Sequence, residues 1–324
     1  MSTRLGAAAL VSLKQLAYLV ALAESLNFTR AAERCFVTQS TLSAGIRELE
    51  AALAVRLFER DRQGVALTPL GQDLLGRARA VLSQTLDLVQ AAQGAAGPFE
   101  GTVTLGAIPT IAPFLLPPLL RALRQQLPAL TVLLREETTA DLLRALDAGD
   151  IDFALIALPM DVGRLQVLPL FSEELWLIAA EDDPHARLVH PRVQQIDLAR
   201  LMLLGEGHCL RAHTLEACGS GRRGRQRAPS SIEATSLPTL VQMVEAGLGV
   251  ALLPEMAIKA GFLARSAVVA RPLAPPAPRR QIALVARPTT PRTALLARLQ
   301  EMAANLGSGT TVRRRGRPSV SARS

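Results

Sequence analysis

At residues 93–101 the chain reads QGAAGPFEG, and the hydrophobic periodicity changes kind across that break. Before it, apolar residues recur every three or four positions, the spacing of helices, with a single short strand-like run at Val65–Leu67. After it, strand-like runs (TVTLGAI, LTVLLREE, IDFALIAL) alternate with helical ones (APFLLPPLLRALRQQLP, TADLLRALDAG). A second set follows (ELWLIAAE, LMLLGEG, SIEATS, LPTLVQMVEAGLG, VALLPE), then RRQIALVARP and a last helix from Thr293 to Asn305. Alternation of this type predicts parallel sheets covered by helices. Two such sets make two lobes with a cleft between them, where ligands bind outside the carboxyl ends of strands. The expected class is α+β overall: a small helical amino-terminal domain, a long helix, and a two-lobed α/β domain.

Three cysteines in 324 residues are too few for a disulfide framework, which fits a reducing, cytoplasmic setting. The residues after Met1 look superficially like an export signal, since Arg4 precedes an alanine-rich stretch. Lys14 interrupts it, however, and Leu13, Leu16, Ala17, Val20 and Ala23 follow the spacing of an amphipathic helix. No uncharged run reaches the roughly 18 residues a membrane span needs, so no membrane partner is expected. The net charge is +8, but the last thirteen residues hold five arginines and no acid. A nucleic-acid partner therefore needs local evidence.

That evidence lies in LKQLAYLVALAESLNF, TRAAERCF and TQSTLSAGIRELEAAL, which predict three short helices. Thr29 is a candidate cap for the second and Thr38 for the third. On the third, Leu42, Ile46 and Leu49 face inward, while Gln39, Ser40, Thr41, Ser43 and Arg47 form a polar face suited to base edges and phosphates. A merely solvated face would look the same. Next, LFERDRQGVALTPLG places Gly64 between Arg60, Arg62 and a strand pattern, which reads as a wing. From residue 69 onward Leu74, Val81 and Leu88 continue a seven-residue repeat from Leu67, with Ala78 and Thr85 in the seam. Such a seam is buried against a second copy or against the protein's own body.

The run from LNFTRAAERC to ALTPLG resembles the winged helix-turn-helix of LysR-type transcriptional regulators over about fifty residues. The resemblance implies that the helix beginning at Gln39 enters the major groove of double-stranded DNA. It places Arg30 and Arg47 on backbone or bases and Arg60 and Arg62 toward the adjacent minor groove. It further implies a homodimer through the long helix, a homotetramer, RNA polymerase as a partner, and an effector domain similar to periplasmic binding proteins. The boundaries expected are 1–68 for the DNA-binding domain, 69–97 for the linker helix, 98–305 for the regulatory domain and 306–324 for a basic tail. Cys35, between the second and third helices, reads as a small buried apolar residue. Within the tail, RRRGRP is similar to an AT-hook core, although solvated charge accounts for it equally.

Two of the three cysteines stand in HCLRAHTLEAC, residues 208–218. A helix across this segment separates the sulfurs by about 13.5 Å on opposite faces. A disulfide needs α-carbons within about 7 Å, so bonding would require the helix to be rebuilt. The spacing leaves three readings open: ordinary helix residues, a redox switch, and a metal site from His208, Cys209, His213 and Cys218. His208 and Arg211 beside Cys209 are expected to favour its thiolate.

LLGEGHCLRAHTLEAC, with EATSLPTLVQMVEAGLGVALLP and GAIPTIAPFLLP, resembles the peroxide-sensing OxyR branch of the LysR family, and the similarity extends over residues 13–305. It implies a non-enzymatic activator without cofactor that senses hydrogen peroxide, with Cys209 the peroxidatic thiol and Cys218 the resolving one. It also implies a peroxide pocket of Thr110, Thr139, His208, Cys209 and Arg280, with Arg279 a near-equal candidate for the arginine. Thr110 and Thr139 would equally serve as plain helix caps. Two departures stand out: Ala212, where the branch often has an acid, and the basic GSGRRGRQRAPSS after Cys218. The rival readings are a LysR regulator that binds a small organic effector, a thiol peroxidase, and a solute-binding protein.

Overall fold

The structure is a computed structural model that describes residues 11–61, 64–93, 97–219 and 233–307. Arg62, most of the basic stretch after Cys218 and the RRRGRP tail lie outside the described residues. The chain divides into two compact units, the first built chiefly from residues up to 93 and the second from those beginning at 97.

The first unit is three helices and a wing on a long helix. Helix α1 (Leu13–Ser25) starts in a capping box, where Ser12 and Gln15 satisfy each other's backbone amides. Helix α2 (Phe28–Arg34) is capped by Asn27, whose Oδ1 accepts from the amides of Thr29 and Arg30. The sequence expectation of Thr29 as cap is thus corrected by two residues: Thr29 already lies in the first turn, and Asn27 Oδ1 accepts from both orphaned amides. Helix α3 (Gln39–Leu53) is capped by Thr38 as expected, and Leu42, Ile46 and Leu49 are fully buried beneath it. Cys35 is half-buried and packs against this core.

Three helix ends, Leu26, Phe36 and Ala54, turn in the left-handed region without glycine (φ 47°, 53° and 55°), a conformation that costs a non-glycine residue about 1–2 kcal/mol. Strands β1 (Phe58–Asp61) and β2 (Gly64–Leu67) pair antiparallel as the wing, and Glu50 on α3 holds β1 by accepting from the amides of Leu57 and Phe58. Helix α4 (Pro69–Gln93) is capped by Thr68, which accepts from Gly71 N and donates to Arg56 O. A β-carbon at Gly71 would lie 2.3 Å from the Leu57 carbonyl, so only glycine lets α4 start this close to the wing. Along its seam Ala78 is buried and Leu74 half-buried, whereas Val81 and Leu88 are exposed.

The second unit runs β3 (Gly101–Ala107), α5 (Ala112–Gln126), β4 (Leu130–Glu136), α6 (Thr139–Ala148), β5 (Phe153–Leu158) and β6 (Gln166–Ala180). It continues through β7 (Leu203–Leu204), α7 (Cys209–Ala217), β8 (Glu233–Ala234), α8 (Leu237–Glu245), β9 (Ala251–Pro254) and α9 (Glu255–Lys259), then β10 (Val268–Pro272), β11 (Arg279–Ala286) and α10 (Thr293–Gly307). The main sheet has the order β10–β6–β11–β5–β3–β4, with β9 also on β6.

This sheet is mixed, which corrects the expectation of parallel sheets. Only β3–β4 and β3–β5 run parallel within it, and β11, β9 and β10 meet their neighbours antiparallel. The reason is β6, whose first part pairs with β11 in one lobe and whose last residues pair with β9 and β10 in the other. Its first half escapes the sequence pattern because Pro169 interrupts the alternation. Pro169 sits where the β6–β11 register shifts between Ile282 and Ala283, a bulge that tolerates a residue without an amide proton. The second lobe closes over a core that includes Leu177, Leu204, Leu240 and Val244, and Leu210 anchors α7 into it.

Candidate redox site and DNA-reading helix

Cys209 is the first residue of α7, and only 5% of it is exposed. His208 before it gives the helix no side-chain cap. The thiol borders a cleft formed by the turn Ile108–Thr110 after β3, by Thr138 and Thr139 at the head of α6, and by Gly207–Cys209. The cleft is closed to the point that it admits not even a water molecule, so a guest enters only where the lining side chains give way.

Arg280 organises the polar side of this cleft. It is almost wholly buried and stands opposite Glu173 in the β11–β6 register. Its Nε donates to Glu173 Oε1 at 2.8 Å, its Nη1 to Thr110 Oγ1 at 2.8 Å and its Nη2 to the Thr110 carbonyl at 3.1 Å. The other Glu173 oxygen accepts from Met256 N at 2.9 Å. This buried pair is thus satisfied on both sides, the condition under which such a pair is tolerated. Because the Thr110 oxygen accepts from Arg280, its own proton is free to be donated. Between the two candidate arginines the geometry decides: Arg279 is largely exposed and only 3.6 Å from Glu174.

Thr139 presents a buried hydroxyl with no partner that meets hydrogen-bond geometry, although it lies near enough to the sulfur to favour the ionised form. Orphaned buried hydroxyls are uncommon and call for a physical reason, such as a redox role or a bound water.

Burial pushes the Cys209 thiol above its ordinary value, and the Arg280 charge, Thr139 and the amides of Cys209 and Leu210 only partly oppose it. This corrects the expectation that His208 and Arg211 favour the thiolate. The cation that acts on the sulfur is Arg280. Arg211 turns away to Glu233 at 2.6 Å and to the Leu204 carbonyl, tying α7 to β7 and β8. His208 lines the cleft but contributes no cap.

Cys218 ends α7, is half-buried against the lobe's core, and burial pushes its thiol up to about 11. All three cysteines are free thiols. With continuous helix between them, Cys209 and Cys218 stand on opposite sides of α7, roughly 13.5 Å apart along its axis.

His213, one turn beyond Cys209, is buried with neither ring nitrogen hydrogen-bonded. Burial, then the Arg280 charge, hold it below its ordinary value, while the Pro159 carbonyl and Glu216 pull the other way. The metal reading of this segment finds no support: among the described residues no group of three or more His, Cys, Asp or Glu is placed to hold an ion. The sequence reading missed Glu173 altogether. Its one signal was the pair of acids, Glu173 and Glu174, opposite the pair Arg279 and Arg280, which becomes visible once the strand register is known.

In the first unit Gln39, Ser40, Thr41 and Arg47 are exposed on α3, Ser43 is half-buried between them, and Arg30 is exposed on α2. The hydroxyls of Ser40 and Thr41 lie 2.9 and 2.8 Å from Thr38 Oγ1, so the cap also orders the first turn. Arg60 belongs to β1.

Residues 13–72 match the bacterial regulatory helix-turn-helix model of the LysR family, and residues 96–307 match the LysR substrate-binding domain. The chain is a LysR-family protein. Its relatives include the transcriptional regulator EstR of Acinetobacter baylyi, 45% identical, covering 88% of this chain and 93% of EstR. They also include the transcriptional dual regulator OxyR of Escherichia coli, 39% identical over 87% and 91% of the two chains. Among solved structures, a full-length OxyR variant from Pseudomonas aeruginosa aligns with a TM-score of 0.69 at 34% identity, over 90% of this chain and 94% of that one. A hydrogen-peroxide-bound OxyR variant from Corynebacterium glutamicum aligns at 0.59 and 31%, over 92% and 94%. Proteins of this LysR family are transcriptional regulators that bind DNA as oligomers. No described helix is long and apolar enough to cross a membrane.

Proposed function

We propose that this regulator acts in the cytoplasm as a sensor of hydrogen peroxide, with Cys209 and Cys218 as the two poles of a thiol–disulfide switch. The observation that carries this reading is the grouping at Cys209: a buried sulfur, an orphaned Thr139 hydroxyl and an Arg280-fixed Thr110 hydroxyl border one tight cleft. In the reaction, the Cys209 thiolate attacks one peroxide oxygen and the O–O bond breaks. The sulfur becomes a sulfenic acid, and the departing hydroxide takes up the thiol's proton as water. The Cys218 sulfur then displaces water from that sulfenic acid, giving a disulfide. Hydrogen bonds from Thr110 and Thr139 position the peroxide, and Arg280 stabilises the negative charge.

Because the bond and the ordered helix exclude each other, oxidation unwinds α7, which alters packing between regulatory domains and moves the DNA-bound copies. The exposed Val81–Leu88 side of α4 pairs with a second copy, dimers join as tetramers, and the reading helix α3 carries the output to promoter DNA and RNA polymerase. The domains follow as 1–68, 69–97 and 98–305, with a basic tail beyond.

DNA footprints of reduced and peroxide-treated protein, with peptide mass spectrometry, test this. Wild type shifts its footprint and yields a Cys209–Cys218 linked peptide, and Cys209→Ser does neither. A Cys209→Ser variant that still shifts its footprint with peroxide overturns the proposal. A second reading, in which an organic effector fills the interlobe cleft, is kept because EstR, whose name gives no effector, is more similar here than E. coli OxyR. That reading predicts peroxide-insensitive footprints.

A further inference from the structure

Among the described residues the most exposed large apolar side chain is Phe36, at 95%. It stands in the turn between α2 and α3, two residues before the Thr38 cap. Both neighbours face the other way: Cys35 and Val37 pack against the core of the three helices. The turn is fixed by Phe36 N donating to Glu33 O at 3.1 Å and Val37 N to Ala32 O at 3.0 Å. These bonds close α2 in a motif whose left-handed position ordinarily belongs to glycine or asparagine. Here an aromatic residue takes that position (φ 53°), against both backbone preference and the tendency of large apolar rings to be buried.

Local structure gives no reason for a ring at this position, since it touches none of the core it adjoins. Its setting gives one. The ring stands in the turn that leads into α3, whose first residues Gln39, Ser40 and Thr41 are also exposed, and apolar contact with a thymine methyl is one of the ways the major groove is read.

We infer that Phe36 is a specificity residue, which packs its ring on a thymine C5-methyl at the edge of the site read by α3. The inference rests on α3 being the helix that enters the groove and is independent of peroxide sensing.

The test uses the full-length protein and duplexes recovered by the wild type from a random library. Phe36→Ala is expected to bind these duplexes roughly tenfold more weakly while keeping its affinity for unselected DNA. Replacing the contacted thymine by deoxyuridine removes only the methyl, and should cost wild type a similar factor and Phe36→Ala nothing. Phe36→Gly should lose the same affinity while its melting temperature stays level or rises, opposite to what a purely structural ring would give. Unchanged binding of Phe36→Ala overturns the inference. So does a deoxyuridine penalty undiminished in Phe36→Ala, or a loss traced by light scattering to weaker dimerisation. An Arg47→Ala arm separates the two readings: if Arg47→Ala weakens binding and Phe36→Ala does not, only the thymine contact fails, and if neither does, α3 is not the reading helix.

Discussion

Helices α3 and α7, to which the proposal assigns the DNA-reading and redox roles, are held in opposite ways. Helix α3 has fifteen residues, a threonine cap tied into its first turn, and three fully buried side chains along its inner face. Helix α7 has nine residues, no side-chain cap, and a buried histidine with both nitrogens unpartnered. Its length alone does not explain this, because α8, also nine residues, is capped by Ser236 and begins with proline at its second position. A helix that must present a fixed face is fastened at every opportunity. A helix that the proposed switch must unwind is left with debts in hydrogen bonding, which lowers the cost of opening it.

The sharpest way to break this contrast is Arg280→Ala. It leaves Glu173 buried without its partner, which should cost about 3–5 kcal/mol in chemical denaturation of the regulatory domain. It should also push the Cys209 thiol further up, so that alkylation at fixed pH slows. A variant with unchanged stability and alkylation would remove Arg280 from the site's electrostatics.

Hydrogen exchange addresses the helices directly. Amides of α7 should open roughly 100-fold more readily than those of α3, a difference of about 2.7 kcal/mol. Equal protection would erase the contrast.

Caps sharpen it further. Thr38→Ala should destabilise the DNA-binding domain by about 1 kcal/mol, and His208→Ser, which installs the missing cap, should stabilise α7 by about 0.5–1 kcal/mol. The second variant should then need more peroxide for the same fraction of disulfide, as read by mass spectrometry.

The smallest effect is a pH dependence. His213 titrates below its ordinary value when buried, so the unwound segment binds a proton that the folded one refuses. Stability of α7 is therefore full above about pH 6.5 and declines as pH falls below it. Exchange from α7, corrected for intrinsic rates, should rise several-fold between pH 7.5 and 5.5, and His213→Leu should flatten the profile.

What could be read from sequence divides along the same line. Helix α3 was legible in its cap, its buried stripe and its polar face, because all three depend on residues within a few positions of one another. At the redox site the cysteine pair and the helix between them were legible for the same reason. The charge acting on Cys209 was not. Arg280 reaches it from a strand 71 positions along the chain, and Glu173, which holds that arginine, is recognisable only through the pairing of β6 with β11. Burial likewise reversed the expected direction for the thiol, and burial is a property of the assembled lobes.

The long strand β6 has a further consequence. Since one continuous ribbon of fifteen residues belongs to both lobes, inserting a single residue into its middle would rotate the whole distal portion by half a turn. Side chains such as Leu175, Leu177 and Ala179 would exchange faces with Glu174, Trp176 and Ile178. An insertion in this regulatory domain is thus expected to be tolerated in its loops and not in the ribbon, which acts as a ruler that keeps the two halves in step.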